Sequence, residues 1–300
     1  MNTQDFFYSK FGVQLALITG HFLPHRLGHL LADSLSTVIA KQKDNVQVKA
    51  VRTNQWIIHG KSINHTDLDR AVLAVFRHSG RCIYDMYHYY NNPPGLQKKI
   101  SLSDQTLEYI ARSHNGKLNA IFVGPHLSNF DLCIRTLAVN GMQAYVLSYP
   151  NPIPSYQLQN KLRSFNAVEL VPMSLSTLRI ATEKLRAGKV VLTGVERPIE
   201  SQKYKMHFFG ELAALPTAHI QLALNTGVPI IIISGHTIND GTCLIETSEE
   251  IHIRPDSDHH REITRNGEMI LERLEEKISS SPLEWLMFYP VWPQFLEQTP

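Results

Sequence analysis

From residue 102 onward, short apolar runs alternate with stretches that carry apolar positions at helical spacing, and this alternation constrains the fold more than any other feature of the chain. The runs are 119–124, 144–147, 168–171, 189–195 and 228–233; the last, Val228-Pro229-Ile230-Ile231-Ile232-Ile233, is the strongest strand signal. Between and around them, 103–112, 130–139, 156–165, 175–187 and 217–225 read as helices, with Gly141 and Gly188 closing two of them. Strands separated by helices need crossover connections, which produce parallel pairing with both faces of the sheet covered. The pattern therefore predicts an α/β fold: a mostly parallel, mixed sheet flanked by helices on both faces. Residues 243–253 read as an edge hairpin strand and 259–279 as a long final amphipathic helix.

The first hundred residues are of another kind. Leu68, Ala71, Val72, Val75 and Phe76 share one helical face behind a cap at Asn64-His65-Thr66. Residues 1–100 read as a mainly helical portion that joins an α/β core, 101–300, in one continuous domain. At the start, Phe6, Phe7, Phe11, Leu15, Leu17, Phe22 and Leu23 are interrupted by Lys10, His21, His25 and Arg26. No apolar run approaches the roughly 18 residues that a spanning helix needs. Asp5 and the lack of an early basic cluster or a small-residue cleavage site argue against a signal peptide. What remains is an amphipathic segment with two readings: a helix lying in a membrane interface, or one packed on the domain's own core.

Composition removes several function classes. With 29 Lys and Arg against 27 Asp and Glu, the formal charge of +2 gives no overall field that would hold a polyanion, so a dedicated nucleic-acid binder is not expected. Cys82, Cys133 and Cys243 are too few and too scattered for a disulfide framework, and a reducing, cytoplasmic setting follows. No metal site is expected. Asp258-His259-His260, near His252, opens a helix from a polar loop and lacks the three- or four-residue spacing of a helical ligand pair, so it reads as a solvated cap.

Ligands of open parallel sheets bind beyond the carboxyl ends of the strands, so polar residues just past an apolar run are the candidates. Two places qualify: Gly124-Pro125-His126-Leu127-Ser128-Asn129-Phe130-Asp131, and Val195-Glu196-Arg197-Pro198. In the first, a histidine leaves the strand end and an acid follows five residues later, in the first turn of the next helix. Asp131 would accept from one ring nitrogen of His126 and leave the other free as a base toward a hydroxyl. Spacing alone carries little: 15 histidines and 27 acids in 300 residues predict roughly 1.4 accidental matches, and one occurs. Its weight comes from its position at a strand end. The plainer readings are a loop histidine with a first-turn carboxylate favoured by the helix dipole, and a solvated ion pair at Glu196-Arg197.

These residues carry a resemblance. The HX4D pattern of 124–131 resembles the signature of glycerolipid-type acyltransferases, and the surrounding chain is similar to the bacterial lipid A late (lauroyl/myristoyl) acyltransferase family. Matching segments occur in order: Val51-Arg52-Thr53-Asn54, Val195-Glu196-Arg197, His207-Phe208-Phe209-Gly210, Leu222 through Pro229, and Leu274-Glu275 through Pro282-Leu283-Glu284-Trp285. The resemblance implies transfer of a fatty acyl group from a thioester, on acyl carrier protein or coenzyme A, to a hydroxyl of a lipid or glycolipid acceptor. No further cofactor is implied. It makes His126 the general base, Asp131 the acid that orients it, and involves no acyl-enzyme. Arg163 and Arg197 fall to phosphate or oxyanion contacts, Glu196 to holding them or the acceptor, and Asn129 to the same substrate site or to fixing the turn. Many lipid A enzymes carry Glu where this chain has Asp131, which leaves the acceptor open. The resemblance also implies peripheral or monotopic attachment to the cytoplasmic face of the bacterial inner membrane, where the aromatic end, 285–292, either joins that surface or belongs to the core. Two other classes fit the same residues: a thioesterase, with water in place of the acceptor, and a non-catalytic lipid-binding protein. Cys133, flanked by Leu132 and Ile134, reads as a core residue rather than a nucleophile.

Overall fold

The structure, a computed structural model, describes residues 19–20, 22–90, 92–150, 168–199, 201–238 and 241–300. The helix predicted at 156–165 and most of the amphipathic N-terminal segment lie outside them. Helices α1 (His25–Ala40), α2 (Val46–Ile58), α3 (His65–Tyr89) and α4 (Pro93–Lys99) precede the first strand. Asn45 and Asn64 cap α2 and α3 by accepting from backbone N–H groups of the first turn. Helices α1 and α3 pack closely: a Cβ at Gly28 would stand 2.0 Å from the Tyr84 ring. On the opposite side of α1, Leu27, Leu30, Leu31, Leu35 and Val38 are exposed, with Phe22 just before them. Their spacing puts them on one stripe of the helix. No described helix is long and apolar enough to cross a membrane.

The remaining elements are β1 (Ile100–Leu102), α5 (Asp104–His114), β2 (Ile121–Gly124), α6 (Phe130–Val139), β3 (Ala144–Ser148), β4 (Val168–Pro172), α7 (Leu175–Arg186), β5 (Val190–Gly194), β6 (Met206–Phe208), β7 (Glu211–Ala213), α8 (Ala218–Thr226), β8 (Ile230–Thr237), β9 (Cys243–Thr247) and α9 (His259–Ser280). Seven strands form one sheet in the order β1-β9-β8-β2-β5-β3-β4. Every pairing is parallel except β8 with β9, so the α/β reading with a mostly parallel mixed sheet holds. Along β2, Ile121 and Val123 enter one apolar core with α7, α8 and α9, while Phe122 enters the other with α5 and α6. The sheet is thus covered on both faces.

One expectation changes in detail. The strand beginning at Cys243 is not at the edge, because Ile100–Leu102 pairs with it from Ile100 opposite Cys243 to Leu102 opposite Ile245. Three residues are too short to show a period, which is why β1 is silent in the sequence. The Phe208-Phe209-Gly210 stretch is a tight hairpin turn: Phe209 and Gly210 sit at φ 50° and 74°, and the Phe209 N–H donates to Glu275 Oε1 at 2.6 Å. The aromatic end belongs to the core. Trp285 and Trp292 are fully buried around Phe208, and Leu127 bridges Trp285 in antiparallel fashion.

One buried group ties stability to pH. His219 on α8 is 2% exposed, and neither ring nitrogen has a hydrogen-bond partner among the described residues. Burial lowers its pKa to about 3. An unfolded chain takes up this proton near pH 6.5, whereas the native chain resists it until about pH 3. The unfolded state therefore binds more protons across that window, and stability falls as the pH drops through it, by up to ~1.4 kcal/mol per pH unit. His219→Leu should flatten the slope of unfolding free energy against pH between about 6.5 and 4.5; denaturant titrations showing an unchanged slope would contradict this.

Candidate active site

Strands β2 and β5 are parallel neighbours, with Gly124 directly opposite Gly194. Two residues beyond each glycine stand His126 and Glu196, so the register alone brings them side by side at the carboxyl edge of the sheet. The Nδ1–H of His126 donates to Glu196 Oε1 at 2.8 Å, and the His126 backbone N–H donates to the same oxygen. The Val195 N–H donates to Oε2 at 3.3 Å. Glu196 has no exposed surface, whereas the His126 side chain keeps 28% of its own. Burial alone would push the Glu196 carboxyl up, but the charge and hydrogen bonds of His126 outweigh it, and its pKa lies below the ordinary value. An ionised Glu196 fixes the proton on Nδ1 and leaves the Nε2 lone pair available as a base.

The turn that presents the imidazole is held from several directions. Ser128 takes a left-handed backbone at φ 52°, and its N–H donates to Glu284 O at 2.9 Å. Leu286 N–H donates to the carbonyl of His126 at 2.8 Å. Asn129 caps α6 by accepting from Leu132 N–H, and its amide donates to the carbonyl of Cys82 on α3. Phe130 meets the imidazole edge-on at 4.9 Å between ring centroids. At Gly194 even a methyl group is excluded, since a Cβ would stand 2.9 Å from His126 Cε1.

From this edge a groove of ≈ 140 Å³ runs between α6 and the sheet. Phe130, Cys133, Ile134 and Leu137 line it on the helix side, and Val146, Leu170, Leu192 and Ile233 on the sheet side. His126, Asp131, Tyr149 and Arg197 line its polar end. The Arg197 guanidinium lies between two nearly parallel tyrosine rings, 3.5 Å from that of Tyr149 and 3.7 Å from that of Tyr289. Cys133 is a buried thiol. Its contact with Cys243 and its burial raise the pKa well above the ordinary value, so no thiolate is on offer.

Set against the sequence reading, His126, Asp131 and Arg197 share one groove. The pairing differs, however: the acid on Nδ1 is Glu196, not Asp131, and Glu196 is fully buried and does not line the groove. A local HX4D spacing could not reveal this, because the partner arrives from another strand. Asn129 is 5% exposed, does not line the groove and is engaged in the turn. Arg163 lies outside the described residues. The two tyrosines that flank Arg197 had no signal in the sequence, since aromatics in loops carry no periodicity.

A buried carboxylate that orients an imidazole at the head of an apolar groove is the arrangement these elements build. The chain belongs to the bacterial lipid A biosynthesis acyltransferase family, whose model matches residues 7–294. It is 23% identical over 191 residues to a phosphatidylinositol mannoside acyltransferase of Mycobacterium tuberculosis, covering 62% of this chain and 58% of that protein. A phosphatidylinositol mannoside acyltransferase of Mycolicibacterium smegmatis is 22% identical over 178 residues, covering 58% of this chain and 56% of that protein. The chain thus spans less than two thirds of the length of these relatives.

Gly194→Ala should turn the imidazole off Glu196 while leaving the fold intact. In ¹⁵N-histidine NMR the low-field Nδ1 proton of the carboxylate-bonded ring should disappear; its persistence at the native shift would show that the ring has room the geometry denies it.

Proposed function

We propose that the chain is an O-acyltransferase that moves a fatty acyl group from a thioester of acyl carrier protein or coenzyme A to a hydroxyl of a lipid or glycolipid acceptor. The observation that carries this reading is the buried Glu196 hydrogen-bonded to His126 at the head of the apolar groove. In the mechanism, Nε2 of His126 takes the acceptor's hydroxyl proton as the oxygen attacks the thioester carbonyl. The tetrahedral intermediate expels the carrier's thiolate, which takes that proton from Nε2. The ester C–O bond forms as the C–S bond breaks, and the enzyme returns to its starting state. Glu196 orients the ring and stabilises the imidazolium between the two steps. A thioester is already activated, so positioning and one base suffice and no acyl-enzyme forms.

The groove is suited to the alkyl chain, which leaves the carbonyl at its polar end beside His126. Arg197, with Arg163, is assigned to a phosphate of the donor or to the oxyanion. Asp131, in the same lining, is assigned to positioning the acceptor. Apart from the acyl thioester as co-substrate, no cofactor is part of the reaction. The exposed apolar stripe of α1 supports peripheral attachment to a membrane, which we place at the cytoplasmic face of the bacterial inner membrane.

Labelled acyl thioester supplied with a panel of lipid and glycolipid acceptors should yield acylated lipid; free fatty acid alone, whatever the acceptor, would mean a thioesterase. His126→Ala should lower the rate at least about a hundredfold, the usual contribution of a general base. Activity or phenotype indifferent to that change would leave a lipid-binding protein. In vesicle sedimentation, Leu27→Ser together with Leu30→Ser should release the protein from anionic liposomes, and undiminished binding would remove α1 from the membrane contact.

A further inference from the structure

The three- to four-residue histidine spacing that is missing at 258–260 occurs elsewhere, at His25 and His29 on α1. One helical turn apart, they lie on the same face of the helix. That face is turned to α3, opposite the exposed leucine stripe, and meets Asp85, which is 4% exposed. His29 Nε2 is 2.7 Å from Asp85 Oδ1 and His25 Nε2 is 3.2 Å from the same oxygen. All three ligand atoms lie within 4.8 Å of one another.

A hydrogen-bond account does not satisfy this cluster. His29 bonds to the carboxylate, but His25 Nε2 is shut off from solvent and makes no hydrogen bond among the described residues, although it faces the same oxygen. A buried polar atom left in this way is destabilising unless something else binds it. From these positions we infer that His25, His29 and Asp85 bind a divalent transition-metal ion, zinc by its ligand chemistry, which clamps α1 to α3.

Metal–ligand bonds of about 2.0–2.2 Å in a tetrahedral site put ligand atoms roughly 3.4 Å apart. The His25–Asp85 pair is close to that separation, and the His29–Asp85 pair reaches it by opening less than 1 Å. Two imidazoles with one carboxylate select zinc-like ions over magnesium or calcium, which take oxygen ligands. Lys99 Nζ stands 3.5 Å from the other carboxylate oxygen, Oδ2, and also donates to the carbonyl of Gly241. It orients Asp85 and leaves Oδ1 to the metal, while its charge weakens binding. The consequence reaches the active site, because the carbonyl of Cys82, one turn before Asp85, receives the amide of Asn129. The clamp therefore ties the helix bearing the apolar stripe to the helix that supports the His126 turn. This inference does not depend on the proposed reaction.

The full-length chain, stripped with a chelator and titrated with Zn²⁺, should take up one metal per chain by elemental analysis and gain thermal stability. Co²⁺ should give the visible absorption of a four-coordinate nitrogen–oxygen site, and Mg²⁺ should not compete. His25→Ala with His29→Ala should weaken binding at least about tenfold with the circular dichroism unchanged, and Lys99→Gln should tighten it. His259→Ala with His260→Ala should leave it as it was. A wild-type chain that takes up no zinc overturns the proposal, and so does uptake that survives the 25/29 double change or is lost in the 259/260 one.

Discussion

The site depends on the register of two parallel strands. Because Gly124 faces Gly194, the chain leaving β2 and the chain leaving β5 advance in step, and two residues later a histidine and a glutamate meet. Parallel neighbours with α6, β3, β4 and α7 between them in sequence achieve this without any local motif. The carboxylate is fully buried, and burial of an isolated charge is costly; the imidazole N–H and two backbone N–H groups offset that cost. The same bonds that make Glu196 tolerable in the interior fix the tautomer of His126. Stability and chemistry are served by one contact.

The legible parts of the sequence are those governed by a repeating pattern. The helix at 130–139 and the strands entering at Ile121, Ala144 and Val190 emerge where apolar periodicity places them, because each is long enough to show its period and is bounded by a cap or a glycine. The same pattern located the polar edge, since His126 and Glu196 both follow apolar runs. What it could not supply was which strands are neighbours, so Asp131, close in sequence, took the place that belongs to Glu196. The β6–β7 hairpin and β1 have three residues per strand, too few for alternation to register. His25 and His29 carried a readable spacing, but a ligand pair is meaningful only with its third member, and Asp85 comes from another helix.

The closing segment shows how a loop with little regular structure is made rigid. Ser128 and Leu286 donate to carbonyls across the Leu127–Trp285 bridge, so the residues after α9 act as a short strand against the His126 turn. Trp285 itself is anchored among Phe208, Phe209 and Trp292. The aromatic turn of the β6–β7 hairpin and the Pro-x-x-Trp stretch, far apart in sequence, are two halves of one packing arrangement under the catalytic edge. Residues of this kind would serve the proposed reaction by removing freedom from the imidazole rather than by touching substrate.

On the proposed reading, transfer and hydrolysis differ only in which hydroxyl reaches Nε2, so the site has to exclude water. The groove addresses it by composition. Beyond the polar end Phe, Ile, Leu, Val and Cys side chains make up most of its lining, with Ser148, Thr193 and Ser234 among them, so an alkyl chain seated there meets mainly apolar surface and displaces water from it. The polar end remains, and there Arg197 is held between Tyr149 and Tyr289. A cation sandwiched in this way has little rotamer freedom and reduced hydration, so an anionic group on a donor or acceptor can meet it at low cost, whereas neutral water gains little. On that reading, selection of acceptor over solvent rests on binding energy gathered at the mouth, away from the reacting atoms, and spent on holding one hydroxyl against the imidazole.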